Sequence, residues 1–239
     1  MKIDVSFTPL GLVAGDLAGR AVVVIDALRA TTTIVTALAN GAKAVIPAVT
    51  SEEAVRLASN LEKDDVLLAG ERKSLKIAGF ALGNSPREMV PAAVRGKTIV
   101  LATTNGTPAL VAAQDGDPVL VGAPVNFRAL AARARALLVE RGALIIICAG
   151  RERQFALEDA YTAGRLIRAV KQGIRKLDLN DAARVAVALS GEFPSWAKAL
   201  EQSEAARQLV DADLADDVRF AATPDRFAVV PTYSDRRIV

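Results

Sequence analysis

The chain has 239 residues, 51% of them hydrophobic, and its 30 basic and 27 acidic side chains leave a net charge of only +3. It has no Lys/Arg run, no basic patch interleaved with aromatic residues and no apolar run near the roughly 20 residues of a membrane span, which disfavours nucleic-acid and membrane binding. The absence of histidine excludes Ser-His-Asp, Cys-His and phosphohistidine chemistry, and a single cysteine excludes an internal disulfide. Catalysis would therefore need carboxylates or an oxygen-liganded metal, and magnesium is favoured over zinc.

The first residues lack the basic and apolar regions of a signal peptide, so we expect a cytoplasmic protein. A chain of this length can form one large α/β domain or two small ones. It contains no fixed-period repeat and no clear linker, and we predict a single α/β domain over residues 1–239, in one or two lobes.

The first half of the chain alternates strand and helix patterns. Strands are predicted at residues 2–7, as an edge strand, and at 21–25, 44–46, 66–69 and 97–102, the third of them ended by Pro47. A helical stripe after the second strand ends at Asn40-Gly41, and a capping box that begins at Thr50 opens another helix. The segment Ser85-Pro86-Arg87-Glu88 has a cap residue, a first-turn proline and a glutamate, which predicts a third helix start.

The second half continues this alternation. Helices are predicted at residues 108–114, 126–140, 157–171, 180–189 and 195–210. Strands are predicted at residues 119–121, 143–149 and 227–230, the last of them ended by Pro231. Strands that alternate with helices favour a mostly parallel sheet with helices on both faces.

Two buried β-branched runs, within residues 22–33 and 98–107, each end in small and polar residues before a helical pattern begins. In open α/β sheets, ligands bind just outside the carboxyl ends of the strands. Hydroxyls and backbone N–H groups near a helix N-terminus favour anions. We therefore expect these two turns to form one rim that holds a phosphorylated small acid.

The first turn offers a carboxylate, a guanidinium and hydroxyl groups. Asp26 could be a metal ligand or a nucleophile, or simply a solvated turn residue or helix cap. Arg29 could bind an anion bidentately, or lie on a helix surface. Thr31, Thr32 and Thr33 have poor helix propensity, which favours hydroxyls that meet a ligand or cap the helix.

Polar residues also follow two other predicted strands. Glu71-Arg72 could supply a carboxylate for a metal beside a guanidinium for an anion, or form an ion pair in a turn. Asn84 and Ser85 could contact a ligand, although capping alone explains them. Glu158-Asp159 could face a magnesium ion or complement a helix dipole, and Cys148 is most simply a core residue.

The segment Thr103-Thr104-Asn105-Gly106-Thr107 is the most specific local pattern. An Asn-Gly pair would indicate a hairpin turn if strands lay on both sides. Because the following residues have a helical pattern, a turn that cradles a phosphate is the better interpretation.

Together these motifs resemble the magnesium-dependent 2-phosphosulfolactate phosphatases of coenzyme M biosynthesis, and the resemblance covers nearly the whole chain. The segments that carry it are Asp26–Thr33, Gly70–Arg72, Gly79–Pro86, Thr103–Thr107, Leu157–Asp159, Asp216–Val218 and Val229–Pro231. The resemblance implies a three-layer α/β/α fold with a mostly parallel sheet. It also implies hydrolysis of a phosphate ester that lies next to a sulfonate and a carboxylate.

The resemblance also implies roles for single residues. The implied magnesium ligands are Asp26, Glu71, Glu158 and Asp159. The groups implied to hold the trianionic substrate are Arg29, Arg72, Thr31, Thr32, Asn84, Ser85, Thr103, Thr104, Asn105, Gly106 and Thr107. Water or Asp26 would attack phosphorus, and Glu71 or Glu158 would assist proton transfer.

Two segments depart from the pattern of the family and bear on the identity of the substrate. Ala81 stands where an aspartate is usual, and Arg151–Gln154 is bulkier than the small residues expected there. The substrate could therefore be a related phosphorylated hydroxy acid. The same anion-binding turns would also suit a non-catalytic binding protein for a phosphorylated or sulfonated metabolite, or a phosphotransferase. Alanine-rich helices make a homodimer plausible.

Overall fold

The computed structural model describes residues 1–13, 15–62 and 65–239 and confirms the predicted fold class. Within these residues eleven strands form one sheet that is flanked by ten α-helices. The strands are β1 (Lys2–Ser6), β2 (Ala21–Ile25), β3 (Ala44–Ala48), β4 (Val66–Arg72), β5 (Leu75–Lys76), β6 (Thr98–Ala102), β7 (Val119–Gly122), β8 (Ala143–Cys148), β9 (Asp178–Leu179), β10 (Thr232–Ser234) and β11 (Arg237–Ile238). The helices are α1 (Ala30–Ala39), α2 (Ser51–Ser59), α3 (Pro91–Val94), α4 (Gly106–Ala112), α5 (Phe127–Arg141), α6 (Leu157–Val170), α7 (Asp181–Leu189), α8 (Trp196–Glu201), α9 (Glu204–Asp211) and α10 (Ala215–Ala221).

The sheet consists of two parallel blocks joined by an antiparallel hairpin. Its strand order is β5-β4-β6-β3-β11-β10-β7-β2-β8-β1-β9. The blocks β4-β6-β3 and β7-β2-β8-β1-β9 are parallel, whereas the hairpin β10-β11 pairs antiparallel with β3 on one side and β7 on the other. The parallel strands of each block therefore end at the same edge of the block.

The central strand β2 explains why helices cover both faces of the sheet. All five of its residues are buried, and their side chains alternate between two hydrophobic clusters. Val22 and Val24 belong to the cluster that contains Ile34 of α1, whereas Val23 belongs to the one that contains Leu130 of α5. A strand buried on both faces needs this unbroken apolar run, which is why its bounds are those predicted from the sequence.

Several predicted strands differ from the structure. β1 is not the edge strand, because β9 pairs with its first two residues. β3 continues through Pro47, which is tolerated because β11 pairs only with Val45 and leaves the rest of that side open. β4 continues through Arg72 because β5 folds back on it. The predicted strand at residues 227–230 is wrong: this segment bonds to the connection between β7 and α5.

Two predicted helices also differ. The Ser85 hydroxyl accepts from the Arg87 N–H at 3.3 Å, yet only a short 3-10 turn forms, because Pro91 holds the residue before it in an extended conformation. The predicted helix 195–210 is two helices, since the Ser203 hydroxyl accepts from the Ala206 N–H at 3.0 Å and starts α9. No helix in the described part of the chain is both long enough and apolar enough to cross a bilayer.

Candidate active site

The carboxyl ends of β2, β4, β6 and β8 open into one cavity of about 340 Å³, which draws residues from both parallel blocks of the sheet. Nine of the residues singled out in the sequence line it: Asp26, Arg29, Glu71, Arg72, Asn84, Thr103, Thr104, Asn105 and Glu158. Six other predicted site residues are buried and do not line it: Thr31, Thr32, Ser85, Gly106, Thr107 and Asp159. The segments that the sequence separates by more than 100 residues therefore do converge.

Asp26 lies directly after β2 and is 6% exposed. One of its carboxylate oxygens, Oδ1, accepts from the Ala30 N–H at 3.2 Å, as expected of a carboxylate at a helix N-terminus. The other oxygen, Oδ2, lies against Gly106, where an added Cβ would be only 2.5 Å from it. Gly106 therefore serves the site by having no side chain, which leaves room for the Asp26 carboxylate.

Arg29 is held by a buried network that involves the far end of the chain. Its guanidinium donates to a carboxylate oxygen of Asp217 at 2.6 Å and to the Ser74 carbonyl at 2.8 Å. The Ser85 hydroxyl donates to the other Asp217 oxygen at 2.7 Å. Asp217 is fully buried, so this pair orients the guanidinium and also fastens α10 to the site.

Both carboxylate oxygens of Glu71 accept backbone N–H groups. One accepts from Thr104 at 2.7 Å and the other from Ser74 at 2.9 Å. Arg72 does not pair with the Glu71 carboxylate; its guanidinium donates to the carbonyls of Glu71 and Val49. Glu71 therefore joins the β4-β5 hairpin to the turn after β6.

The threonine hydroxyls of the first turn point to the backbone instead of the cavity. The donor–acceptor pairs are Thr31 to Asp26 O at 2.7 Å, Thr32 to Ala27 O at 2.8 Å, Thr33 to Asn84 O at 3.0 Å and Thr36 to Thr32 O at 2.7 Å. All four residues are buried. These hydroxyls stabilise the turn and hold the Asn84 backbone against it, through the hydrogen bonds to carbonyls that are typical of Ser and Thr in helices.

The turn after β6 is also closed on itself. The Thr107 hydroxyl accepts from the Thr103 N–H, and the Thr103 hydroxyl accepts from the Thr107 N–H, both at 3.0 Å. The Asn105 carboxamide oxygen accepts from the Glu152 N–H at 3.0 Å. This turn thus positions the loop after β8, while its Thr104 side chain is exposed at the cavity.

Three carboxyl groups in and beneath the cavity have raised pKa values. Burial raises the pKa of Asp26 to about 7, and the negative charges of Glu158 and Glu71 add to this. Burial likewise raises the pKa of Glu158 to about 7. Asp159 has a pKa well above its usual range through burial and the charges of Glu158 and Asp26, although it accepts from the N–H groups of Ala27 and Gly150. Perturbed carboxyl groups in a cleft are typical of functional sites.

The donor set of the cavity suits a hard cation. The buried oxygen of the Asn84 carboxamide has no hydrogen-bond partner among the described residues, and Asn84 lines the same cavity as Asp26 and Glu158. The Cys148 thiol is buried with a pKa well above its usual range, so it offers no soft ligand. Among the described residues no three acidic or cysteine side chains cluster closely enough to enclose a metal. Magnesium, however, usually takes only one or two carboxylates, with water and substrate phosphate completing its coordination.

Sequence reasoning assigned no role to several residues that build the site. Asp217 lies in a segment that contributed to the family resemblance, but nothing local indicated that it would meet Arg29. Lys73, Arg151 and residues of α9 also line the cavity. Arg151 is fixed by Glu204 at 2.9 Å and by Gln208 at 3.1 Å, contacts that no sequence spacing could have indicated.

Comparison with known proteins gives the family. A family model described as 2-phosphosulpholactate phosphatase matches residues 7–236. The chain belongs to this family. A protein of Caldanaerobacter subterraneus subsp. tengcongensis, named a probable 2-phosphosulfolactate phosphatase, is 40% identical over 217 residues, which are 90% of this chain and 88% of that protein.

Two further relatives carry the same name, probable 2-phosphosulfolactate phosphatase. The protein of Symbiobacterium thermophilum is 38% identical over 227 residues, 95% of this chain and 96% of its own. That of Clostridium beijerinckii is 33% identical over 238 residues, which span all of this chain and 99% of its own. The family inferred from the motifs is therefore confirmed over nearly the whole chain.

Proposed function

We propose that the protein is a phosphatase that hydrolyses the phosphate ester of 2-phospho-3-sulfolactate to sulfolactate and inorganic phosphate. The observation that carries this proposal is the cavity in which the buried carboxyl groups of Asp26 and Glu158, with pKa values of about 7, lie beside guanidinium groups at the strand ends. Membership of the family supports the choice of substrate. The product would serve coenzyme M biosynthesis.

The reaction depends mostly on positioning the phosphate and neutralising its charge. Arg29 is suited to positioning the phosphate, because its side chain lines the cavity and its guanidinium is held by Asp217 and the Ser74 carbonyl. Glu158 is suited to proton transfer, since a carboxyl group with a pKa of about 7 can hold or release a proton at neutral pH. It would protonate the ester oxygen as the bond from phosphorus to that oxygen breaks and the oxygen of a water molecule bonds to phosphorus. The proton that the water releases would restore the protonated form of Glu158.

We also propose that Mg²⁺ is the cofactor. Asp26 would hold it, together with the Asn84 carboxamide oxygen, which no described residue contacts by a hydrogen bond. Bound there, it would supply positive charge to the phosphate oxygens. Glu71 and Asp159 would hold the backbone around this site in place instead of binding the metal, because each already accepts two backbone N–H groups.

The test is phosphate release from 2-phosphosulfolactate by the purified chain, with added Mg²⁺ or with EDTA. We expect turnover that requires the metal and falls at least about 1000-fold in Asp26→Asn, the scale of loss expected for a residue at the reacting group. Asp115→Asn is the matched control, since Asp115 is exposed and does not line the cavity.

Three results would contradict the proposal in whole or in part. If the ester raises the melting temperature but no member of a panel of phosphorylated hydroxy acids is turned over, the protein is a binding protein. Phosphate that appears on an added alcohol instead of in solution would indicate a phosphotransferase. Turnover that EDTA leaves unchanged would contradict the proposed cofactor alone.

A further inference from the structure

The cations that line the candidate active site are not equivalent. Four line the cavity: Arg29, Arg72, Lys73 and Arg151. Two of them are neutralised by carboxylates, Arg29 by Asp217 at 2.6 Å and Arg151 by Glu204 at 2.9 Å. Within the described part of the chain, the other two have no carboxylate within ion-pair distance. Both belong to the hairpin of β4 and β5, which also brings the buried Glu71 side chain to the cavity, so this wall carries two cations against one carboxylate.

The two cations that have no ion-pair partner among the described residues differ in how freely their side chains can bind an anion. Arg72 is fixed by the carbonyls of Glu71 and Val49, at 2.8 and 3.1 Å. Lys73 makes no hydrogen bond or ion pair with any described residue, and its side chain is exposed at the cavity. An ammonium group with three free donors is therefore available at the cavity mouth.

The backbone at Lys73 is held in an unfavourable conformation by the site itself. Lys73 and Ser74 have φ values of 51° and 68°, in the left-handed region that non-glycine residues rarely adopt. Glu71 accepts from the Ser74 N–H, and Arg29 donates to the Ser74 carbonyl. Two buried charged residues of the site thus hold this turn, and the side chain they keep at the cavity is that of Lys73.

We propose that Lys73 is a specificity-determining residue that binds a second oxyanion of the substrate, the sulfonate or the carboxylate, while the phosphate lies deeper beside Asp26. The proposal rests on the proposed function. A substrate with three acidic groups brings more negative charge than the phosphate-binding residues can neutralise. The Lys73 ammonium, which has no ion-pair partner among the described residues, lines the same cavity and is available to bind the additional charge.

The test compares variants on one hairpin and a series of related esters. Lys73→Met removes the charge and keeps the length of the side chain, and Lys73→Arg restores the charge. Lys76→Met is the matched control, because Lys76 is exposed on β5 of the same hairpin and does not line the cavity. The esters are 2-phosphosulfolactate, 2-phospholactate without the sulfonate, the 2-phosphate of 2-hydroxypropane-1-sulfonate without the carboxylate, and isopropyl phosphate with neither.

For Lys73→Met we expect KM for 2-phosphosulfolactate to rise about tenfold with kcat nearly unchanged, the effect of one lost charge-assisted contact. Lys73→Arg should recover most of the loss, and Lys76→Met should behave as the wild type. The kinetics with isopropyl phosphate should be the same in all variants. Of the two esters with a single additional acidic group, the one that Lys73→Met affects identifies the group that Lys73 binds.

Two results would overturn the proposal: wild-type KM values in Lys73→Met, or an equal loss for all four esters, which would indicate a structural or phosphate-binding role. Failure of the proposed function is distinguishable from both. If the wild type hydrolyses none of the esters, that function is wrong, and calorimetric binding of the same series still reports on Lys73. A tenfold weaker binding of 2-phosphosulfolactate, but not of isopropyl phosphate, would then support its role.

Discussion

The two turns that the sequence presents as a pair make different contacts. The turn after β2 sends two ionisable side chains to the cavity, those of Asp26 and Arg29. The turn after β6 contributes no charge. Its hydroxyls at Thr103 and Thr107 cap each other's backbone N–H groups, and its Thr104 N–H binds Glu71.

The difference between the two turns shows that a segment rich in threonine need not offer its hydroxyl groups to a ligand. A threonine in the first turns of a helix is within reach of backbone groups of the same segment, and in both turns buried hydroxyls bond to such groups. Longer charged side chains reach beyond the turn. The turn after β2 is thus suited to chemistry, and the turn after β6 is suited to holding its surroundings in place.

The largest effect is expected from removing the Asp217 carboxylate that pairs with Arg29. The turn after β6 has no charged residue and so no such ion pair. Asp217→Asn leaves this guanidinium buried without a carboxylate, which should lower the free energy of unfolding by about 3–5 kcal/mol. Urea unfolding measures the loss. The neighbouring Asp216→Asn is the control, because that carboxylate is exposed and its loss should change little. Similar losses in both variants would contradict the assignment.

The next largest effect is a change of stability with pH that comes from the Asp26 carboxyl group. The turn after β6 contains no carboxyl group. Burial gives Asp26, like Glu158, a pKa of about 7, above the ordinary value of about 4. The folded state therefore binds these protons more tightly than the unfolded state. Their contribution to stability is fully present below about pH 4 and is lost as the pH rises through about 7.

In EDTA, we therefore expect the free energy of unfolding to fall by about 2–4 kcal/mol between about pH 5 and pH 8. Asp26→Asn should reduce this fall and make the protein more stable than the wild type at the higher pH. Asn105→Ala, a change in the second turn, should leave the pH dependence as it is. Urea titrations across this range measure it, and a flat wild-type profile would show that these carboxyl groups are not buried as described.

A smaller effect is expected where the two turns touch. In Gly106→Ala the new Cβ would collide with the Ala30 Cβ and lie 2.5 Å from the Asp26 carboxylate. We expect a loss of about 1–3 kcal/mol from overpacking, with reduced kcat because Asp26 must move. In the control Gly191→Ala the nearest atoms are 3.3 Å away. Wild-type stability and kcat in Gly106→Ala would show that the turns are not in contact.

The smallest effect tests the hydroxyl groups themselves. Thr32→Val removes one buried hydrogen bond, and Thr103→Val removes the acceptor of the Thr107 N–H and a longer bond to the Thr107 hydroxyl. We expect each to lower the free energy of unfolding by about 1–2 kcal/mol. KM for 2-phosphosulfolactate should stay unchanged in both, because neither hydroxyl is free to bind a ligand. A raised KM with unchanged thermal stability would support the substrate-binding role predicted from the sequence.

Elements with strong local signals could be predicted well from the sequence. The apolar run of β2 and the Asn180 cap of α7 depend on neighbouring residues alone, and both were predicted with the correct bounds or cap. The strand predicted at residues 227–230 was wrong, because this segment bonds to residues about 100 positions away, such as Asn126, whose side chain donates to the Val229 carbonyl. Local patterns contain no information about such a partner.

In the candidate site, too, the sequence indicated the positions of some residues and not of others. That Asp26, Glu71 and Glu158 would share one cavity followed from their positions near strand ends and from the family motifs. The position of Asp217 beside Arg29 did not follow, because it depends on how α10 packs against the 3-10 turn after Ser85. The functional roles of these residues stay predictions.

The sequence by itself determined the class of the fold, the family, and the restriction to carboxylate or hard-metal chemistry that the lack of histidine imposes. These depend on composition, on periodicity and on motifs that are read along the chain. Only the tertiary structure decided which polar groups remain free to bind a ligand, because each buried donor or acceptor is first satisfied by whichever partner the packing brings near. That is why the buried Thr32 hydroxyl is bonded to a backbone carbonyl, while the Lys73 ammonium at the cavity has no partner among the described residues.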